Sequence, residues 1–116
     1  MTKMDVDSAA PIFDPAAFRL TDKQAELTAL ARKFGQESLA PRADKWDREA
    51  IFPMENYRDM HKNGLLGICV PEANGGYGAD YMTYMLTAAE IGRFCGTTSL
   101  TWNMHVCSCL WTGALA

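Results

Sequence analysis

No apolar stretch of this sequence approaches the ~20 residues needed to cross a bilayer, so a membrane-spanning helix is not expected. Lys and Arg form no block, and no stripe interleaves basic with aromatic residues. With a net charge of -3, the chain is not expected to bind nucleic acid. No CxxC pair joins the four cysteines, Cys69, Cys95, Cys107 and Cys109, and their number alone implies no disulfide without an export signal. On a helix, Cys107 and Cys109 would project about 200° apart and could not easily share a metal. His105 and Cys109, four residues apart, can meet on one face, as a hydrogen-bonded histidine beside a small apolar cysteine or as metal ligands. The first reading is preferred, so no metal site is expected. The N-terminus sets Lys3 among Asp5, Asp7 and Asp14 without the apolar core of a secretory signal. Its acids also disfavour a mitochondrial presequence, and cytoplasmic residence is expected. Sustained β-type alternation, internal repeats and low-complexity tracts are missing too.

Familiar catalytic signatures are equally scarce. The cluster Gly75-Gly76-Tyr77-Gly78 lacks the spacing of G-x-G-x-x-G, and the P-loop Lys-Ser/Thr is missing. There is no GxSxG elbow, and no Cys-His or Ser-His pair has independent support. Glu72, in a turn, is expected to accept backbone hydrogen bonds. Glu90 is expected to pair with an arginine such as Arg93, or to hydrogen-bond a neighbouring segment.

What is present is helical and apolar. Of 116 residues, 48% are hydrophobic and 22% charged, the balance of a single globular domain with a modest core. Residues 1–18 show two prolines, scattered acids and no period, and read as a flexible N-terminal arm, taken as 1–19. Thr21-Asp22-Lys23-Gln24 has the form of a capping box, and Leu27, Leu30, Ala31 and Phe34 follow as one helical stripe. Pro41 should kink or interrupt this helix after Leu39-Ala40, with a charged turn or two resuming around Trp46. Pro53 suits the first turn of a second helix, whose buried side is marked by Tyr57 and Met60 and whose stop is Gly64. In the turn after it, Gly75, Gly76 and Gly78 are expected to use positive φ. Asp80 is a plausible N-cap for a third helix with Tyr81, Tyr84, Met85, Ala88 and Ile91 as its core face. Thr97 or Thr98 can cap a fourth, with Leu100, Met104, Cys107 and Trp111 on one side. Trp102, Val106 and Leu110 widen its apolar surface to most of the circumference.

The spacing therefore predicts an all-α, bundle-like domain of about four main antiparallel helices, near 21–40, 54–63, 80–94 and 98–115. Leu30, Phe34, Tyr57, Ile68, Tyr84, Ile91 and Trp102 are expected to share its core. The apolar pattern and the chain stop together at Gly113-Ala114-Leu115-Ala116, which reads as the opening piece of a longer protein.

The succession from Gly64 to Arg93, with Val70-Pro71-Glu72 and Gly75-Gly76-Tyr77-Gly78 between two helices, resembles the N-terminal helical domain of the flavin-dependent acyl-CoA dehydrogenases, where V-P-E-x-x-G-G-x-G holds that place. The resemblance covers the chain from about Leu20 onward. It implies a three-domain parent, in which a β domain and a C-terminal helical domain follow residues 20–116 and hold FAD between them. It also implies a catalytic glutamate in the C-terminal domain, so no catalytic or flavin-binding residue is expected here. The positions it maps to the wall of the acyl pocket are Ser99, Leu100, Asn103 and Met104, where Asn103 would set chain length or meet a polar acyl group. It further implies an acyl-CoA substrate, electron-transfer flavoprotein as acceptor, and a homotetramer. Two alternatives stay open: an acyl-CoA oxidase or flavin monooxygenase of the same superfamily, and a stand-alone helical interaction module. The 116-residue chain alone is expected to be inactive, and sticky around Val106, Leu110 and Trp111.

Overall fold

A computed structural model describes residues 10–115. Helix α1 spans Asp22–Phe34, continues through a π-helical turn at Gly35–Leu39, and runs on as α2, Ala40–Glu49. Helix α3 is Met54–Lys62, α4 is Tyr81–Gly92 and α5 is Gly96–Leu115. Short 3-10 turns at Leu65–Gly67 and Glu72–Asn74 bridge α3 and α4. Counting the α1–π–α2 run as one interrupted helix gives four main helices, with no strand among the described residues. Among the described residues, no helix is long and apolar enough to cross a membrane.

The start of α1 follows from two side chains. Thr21 Oγ1 accepts the Gln24 amide while Gln24 Oε1 accepts the Thr21 amide, the reciprocal box read from the sequence. Asp80 caps α4 in the same sense, accepting the Thr83 amide at 2.8 Å and its hydroxyl at 2.6 Å. Each such cap is worth about 1 kcal/mol. Helix α5 differs from the expectation. It begins at Gly96, and Thr98 faces inward, where its hydroxyl accepts Asn56 Nδ2 at 2.9 Å.

Pro41 interrupts nothing downstream of itself. The disturbance lies before it, in the π turn, where the Ala40 amide reaches back to the Gly35 carbonyl. A proline ring clashes with the carbonyl four residues earlier, and widening the preceding turn moves that carbonyl aside. Pro41 then occupies the first turn of α2, and the helix persists to Glu49.

Helix α1 packs on α4, and α4 on α5. Tyr84 OH donates to the Asn103 carbonyl at 3.3 Å and Ser99 Oγ to the Ala88 carbonyl at 2.9 Å, pairings that run in opposite senses along α4 and α5 and make them antiparallel. Phe34, Ile68, Tyr84, Ile91 and Trp102 share the core as expected, joined by Leu27, Ala31, Leu39, Met60, Leu65 and Val106, while Leu30 packs at its edge. Tyr57 is half-buried, its ring tilted against Phe52 at 5.2 Å, and Asn56 takes the inward place beside Met60. The amide of Asn56 is satisfied at both ends, by Arg42 at 3.0 Å and by Thr98, so its burial is not penalised.

The inner face of α4 is also unlike the apolar reading. Thr83, Tyr84, Thr87, Glu90 and Ile91 point in, whereas Tyr81 and Met85 are exposed. Along the glycine turn, Gly64, Gly75 and Gly78 have φ of 74°, 88° and 60°. Gly76 does not, and it is glycine for space: a Cβ there would lie 2.1 Å from the Val70 carbonyl oxygen.

Candidate functional site

Helix α5 carries the sequence-derived pocket residues in its first half. Leu100 and Met104, one turn apart, stand on its outward face, 63% and 61% exposed. Trp111 continues the same stripe at 71% exposure. Ser99 and Asn103 lie on the adjoining flank, half-buried against α4 through the two hydrogen bonds that set the antiparallel packing. Leu100 and Met104 are thus free to touch something outside this chain, while Ser99 and Asn103 hold the two helices in register. Val106, expected on the exposed side, is buried at 1%.

A second apolar surface was not read from the sequence as a site. Beyond Val106 the inward face of α5 runs past the core and meets the 3-10 turns, leaving a cleft of about 340 Å³ between Leu66, Cys69 and Val70 on one side and Val106, Cys109 and Leu110 on the other. The signal available was the continuation of the Trp102–Val106–Leu110 spacing beyond the last residue that the core needs.

The chemistry beside this cleft is neutral. Burial, aided by the charges of Asp80 and Cys107, pushes the Cys69 thiol up from its ordinary value. Burial, then the hydrogen bond to Cys107, does the same for the Tyr84 phenol. His105 Nε2 lies 3.0 Å from the Leu66 carbonyl, which can only accept, so that nitrogen carries the proton. Cys109 Sγ is 3.6 Å from the same nitrogen, which therefore cannot take the thiol proton as a base. The pair is a packed histidine beside a small thiol, not an activated nucleophile. Among the described residues, no group of three or more His, Cys, Asp and Glu side chains could hold a metal.

Neither candidate carboxylate faces a reacting group. Glu72, rather than accepting backbone amides, pairs at the surface with Lys23 Nζ at 3.1 Å, and the same ammonium donates to the Tyr77 carbonyl. Glu90 is 2% exposed and pairs with Arg93 at 3.3 Å as expected, and also with Arg32 at 3.5 Å and the Ile12 amide at 3.1 Å, partners the sequence did not name. The glycine turn is no phosphate cradle either. Its amides at Gly75, Gly76, Tyr77 and Gly78 donate to the carbonyls of Glu72, Pro71, Gly67 and Val70. With those donors consumed, the turn does not fit the phosphates of a flavin dinucleotide.

This arrangement can offer a wall to an uncharged, apolar group, with reactive groups supplied from elsewhere. Residues 21–114 match the family described as acyl-CoA dehydrogenase, N-terminal domain. The chain is 36% identical over 89 residues to a probable acyl-CoA dehydrogenase, YngJ, of Bacillus subtilis (strain 168), covering 77% of this chain and 23% of that protein. It is 36% identical over 89 residues to the acryloyl-CoA reductase (NADH) of Anaerotignum propionicum, with coverage of 77% and 23%. Against the mitochondrial isovaleryl-CoA dehydrogenase of Solanum tuberosum it is 35% identical over 91 residues, 77% of this chain and 22% of that protein. The chain thus spans 22% to 23% of the length of these three relatives. With the match covering most of its length, the chain belongs to the acyl-CoA dehydrogenase family and carries that family's N-terminal helical domain.

Proposed function

We propose that the complete protein is an FAD-dependent acyl-CoA dehydrogenase that forms the α,β double bond of an acyl-CoA thioester, and that this domain helps to wall the acyl end of its pocket. The family match over residues 21–114 carries this reading. The proposed domain plan places residues 20–116 as the helical domain ahead of a β domain and a second helical domain, with residues 1–19 as an arm. When bound, the flavin supplies the acceptor for the hydride leaving the β-carbon. Residues of this chain do the passive part: they exclude water and set the length of the site. The family resemblance puts the carboxylate that takes the α-proton in a later domain, and within this chain Glu72 and Glu90 are each paired with cations. Electron-transfer flavoprotein as acceptor and a homotetrameric assembly belong to the same proposal on the family resemblance, and a cytoplasmic location on the acidic N-terminal residues Asp5, Asp7 and Asp14.

Within the pocket we assign the wall to Ser99, Leu100, Asn103 and Met104, supported by the exposed apolar pair Leu100 and Met104. The concave, neutral cleft ending at Gly113 favours a second reading, in which the acyl tail enters there instead. Kinetics of the full-length protein on thioesters from about C4 to C12 separate the two. Enlarging Leu100 to Phe or Met104 to Trp shortens the preferred chain if the stripe is the wall, each excluded methylene being worth about 1–3 kcal/mol of discrimination. Gly113→Leu does so if the cleft is. An unaltered profile in every variant rejects this domain as a wall of the pocket. Because one similar protein is an acryloyl-CoA reductase (NADH), reduction of a 2-enoyl thioester is a second direction to assay with the same variants.

A further inference from the structure

The N-terminal segment is not spent as a free arm over its described part. Residues 10–20 fold back over α4. The Ile12 amide donates to Glu90 Oε1 at 3.1 Å, and Arg93 donates to the Ala10 carbonyl. Glu90 Oε1 also meets Arg32 of α1 at 3.5 Å, and Oε2 meets Arg93 at 3.3 Å. One buried carboxylate therefore ties three parts of the chain together, and the only backbone amide it takes from outside the helices is that of residue 12 among the bonds described. Inboard of this contact, Phe13 and Phe18 meet edge to face at 5.2 Å. With Leu20 they roof an apolar space of about 470 Å³ above Met82, Met85 and Leu86.

The other end of the segment is a hinge. Phe18 and Leu20 amides bond back to the Asp14 and Pro15 carbonyls, closing a compact turn. Arg19 then takes φ of 52°, the left-handed region that a residue with a Cβ rarely occupies. Immediately after it, the Thr21–Gln24 box fixes the chain to α1. A strained residue thus sits between a rigid cap and a turn whose far end is held by the Glu90 carboxylate and its partner Arg93.

We propose that residues 10–20 are a latched strap: Glu90 holds the outer end through the Ile12 amide, Arg19 is the pivot, and release uncovers the apolar side of α4 around Met82, Met85 and Leu86. The strap opens as a unit while the helices stay folded, because its polar holds on them are gathered at its outer end, at Ala10 and Ile12, and the rest of it only roofs an apolar space. The helical core, by contrast, is buried around Trp102 and Ile91.

Ile12→Pro removes the amide hydrogen and leaves the Glu90–Arg32–Arg93 cluster in place. Ile12→Ala removes the side chain and keeps the amide. Amide exchange followed by NMR in the 116-residue chain is expected to speed up about five- to tenfold at Phe18 and Leu20 in Ile12→Pro. Ile12→Ala is expected to match the wild type, and tryptic cleavage after Arg19 to accelerate only in the proline variant. Equal behaviour of the two variants would overturn the latch. So would exchange that accelerates throughout α4 and α5, because the strap would then be part of the core's cooperative unit.

Discussion

Trp102 Nε1 donates to the Leu65 carbonyl at 2.9 Å, with both residues buried out of contact with solvent. This bond fastens α5 to the 3-10 turn that follows α3 and so fixes one flank of the cleft. Trp46 is its counterexample: its Nε1 is buried and finds no acceptor among the described residues.

Trp102→Phe leaves the Leu65 carbonyl buried without its donor and is expected to destabilise by about 1–3 kcal/mol. Trp46→Phe removes an unpaired donor and is expected to change stability by less than about 1 kcal/mol. Urea unfolding of both variants gives the comparison, and equal losses would contradict the role of the Leu65 bond.

The two adjacent turn glycines are needed for different reasons, so they should fail differently. Gly75→Ala keeps open space around the new methyl and suffers only from a φ of 88°, a cost of about 1–2 kcal/mol. Gly76→Ala drives its methyl against the Val70 carbonyl and Cβ and should cost more, about 3 kcal/mol with backbone displacement. Thermal unfolding ranks them. A less harmful Gly76→Ala would mean that the turn yields.

Acid should weaken the fold through two carboxylates. The hydrogen bond from Arg42 holds Asp59 below its ordinary value, as those from the Thr83 hydroxyl and amide hold Asp80. Both folded-state values lie below the unfolded one, so their stabilisation is complete above the unfolded value of about 3.9 and drains away as pH falls toward the folded values. The wild type should lose more stability between about pH 5 and pH 3 than Asp59→Asn/Asp80→Asn does. Parallel pH curves from chemical denaturation would refute this.

The outward stripe of α5 should govern self-association of the isolated chain. Replacing Leu100, Met104 and Trp111 together by Gln is expected to abolish concentration-dependent retention in gel filtration, with little change in melting temperature because all three are exposed. Retention that persists would move the sticky surface elsewhere, Met82 and Met85 being the next candidates.

Legibility of the sequence followed the locality of the cause. Both caps, the positive φ of Gly64 and the inward stripe of α1 were readable because each depends on residues within a turn of one another. Helices α4 and α5 were recognised, but their inner faces only in part: Tyr84, Ile91 and Trp102 were placed in the core and the polar inner positions were not. On α4 the inner polar groups find partners that apolar spacing does not register: Thr87 the Thr83 carbonyl one turn back, Glu90 both Arg32 and Ile12, the latter 78 residues away. Apolar spacing cannot show such bonds. On α5 nearly every face is apolar, so periodicity finds a helix but does not say which side turns inward. The cleft escaped for a related reason, since a hollow exists only between elements distant in sequence.

The π turn at Gly35–Leu39 has a consequence for insertions and deletions along the chain. It holds one residue more than an α-turn does, which resets the angular phase of everything beyond it by about 100°. Trp46 is buried in that reset phase. Losing a single residue from the turn would restore a uniform helix, swing Trp46 toward solvent and carry Arg42 away from Asn56 and Asp59. A deletion that looks conservative in composition would therefore act as a rotation of the whole second half of the helix.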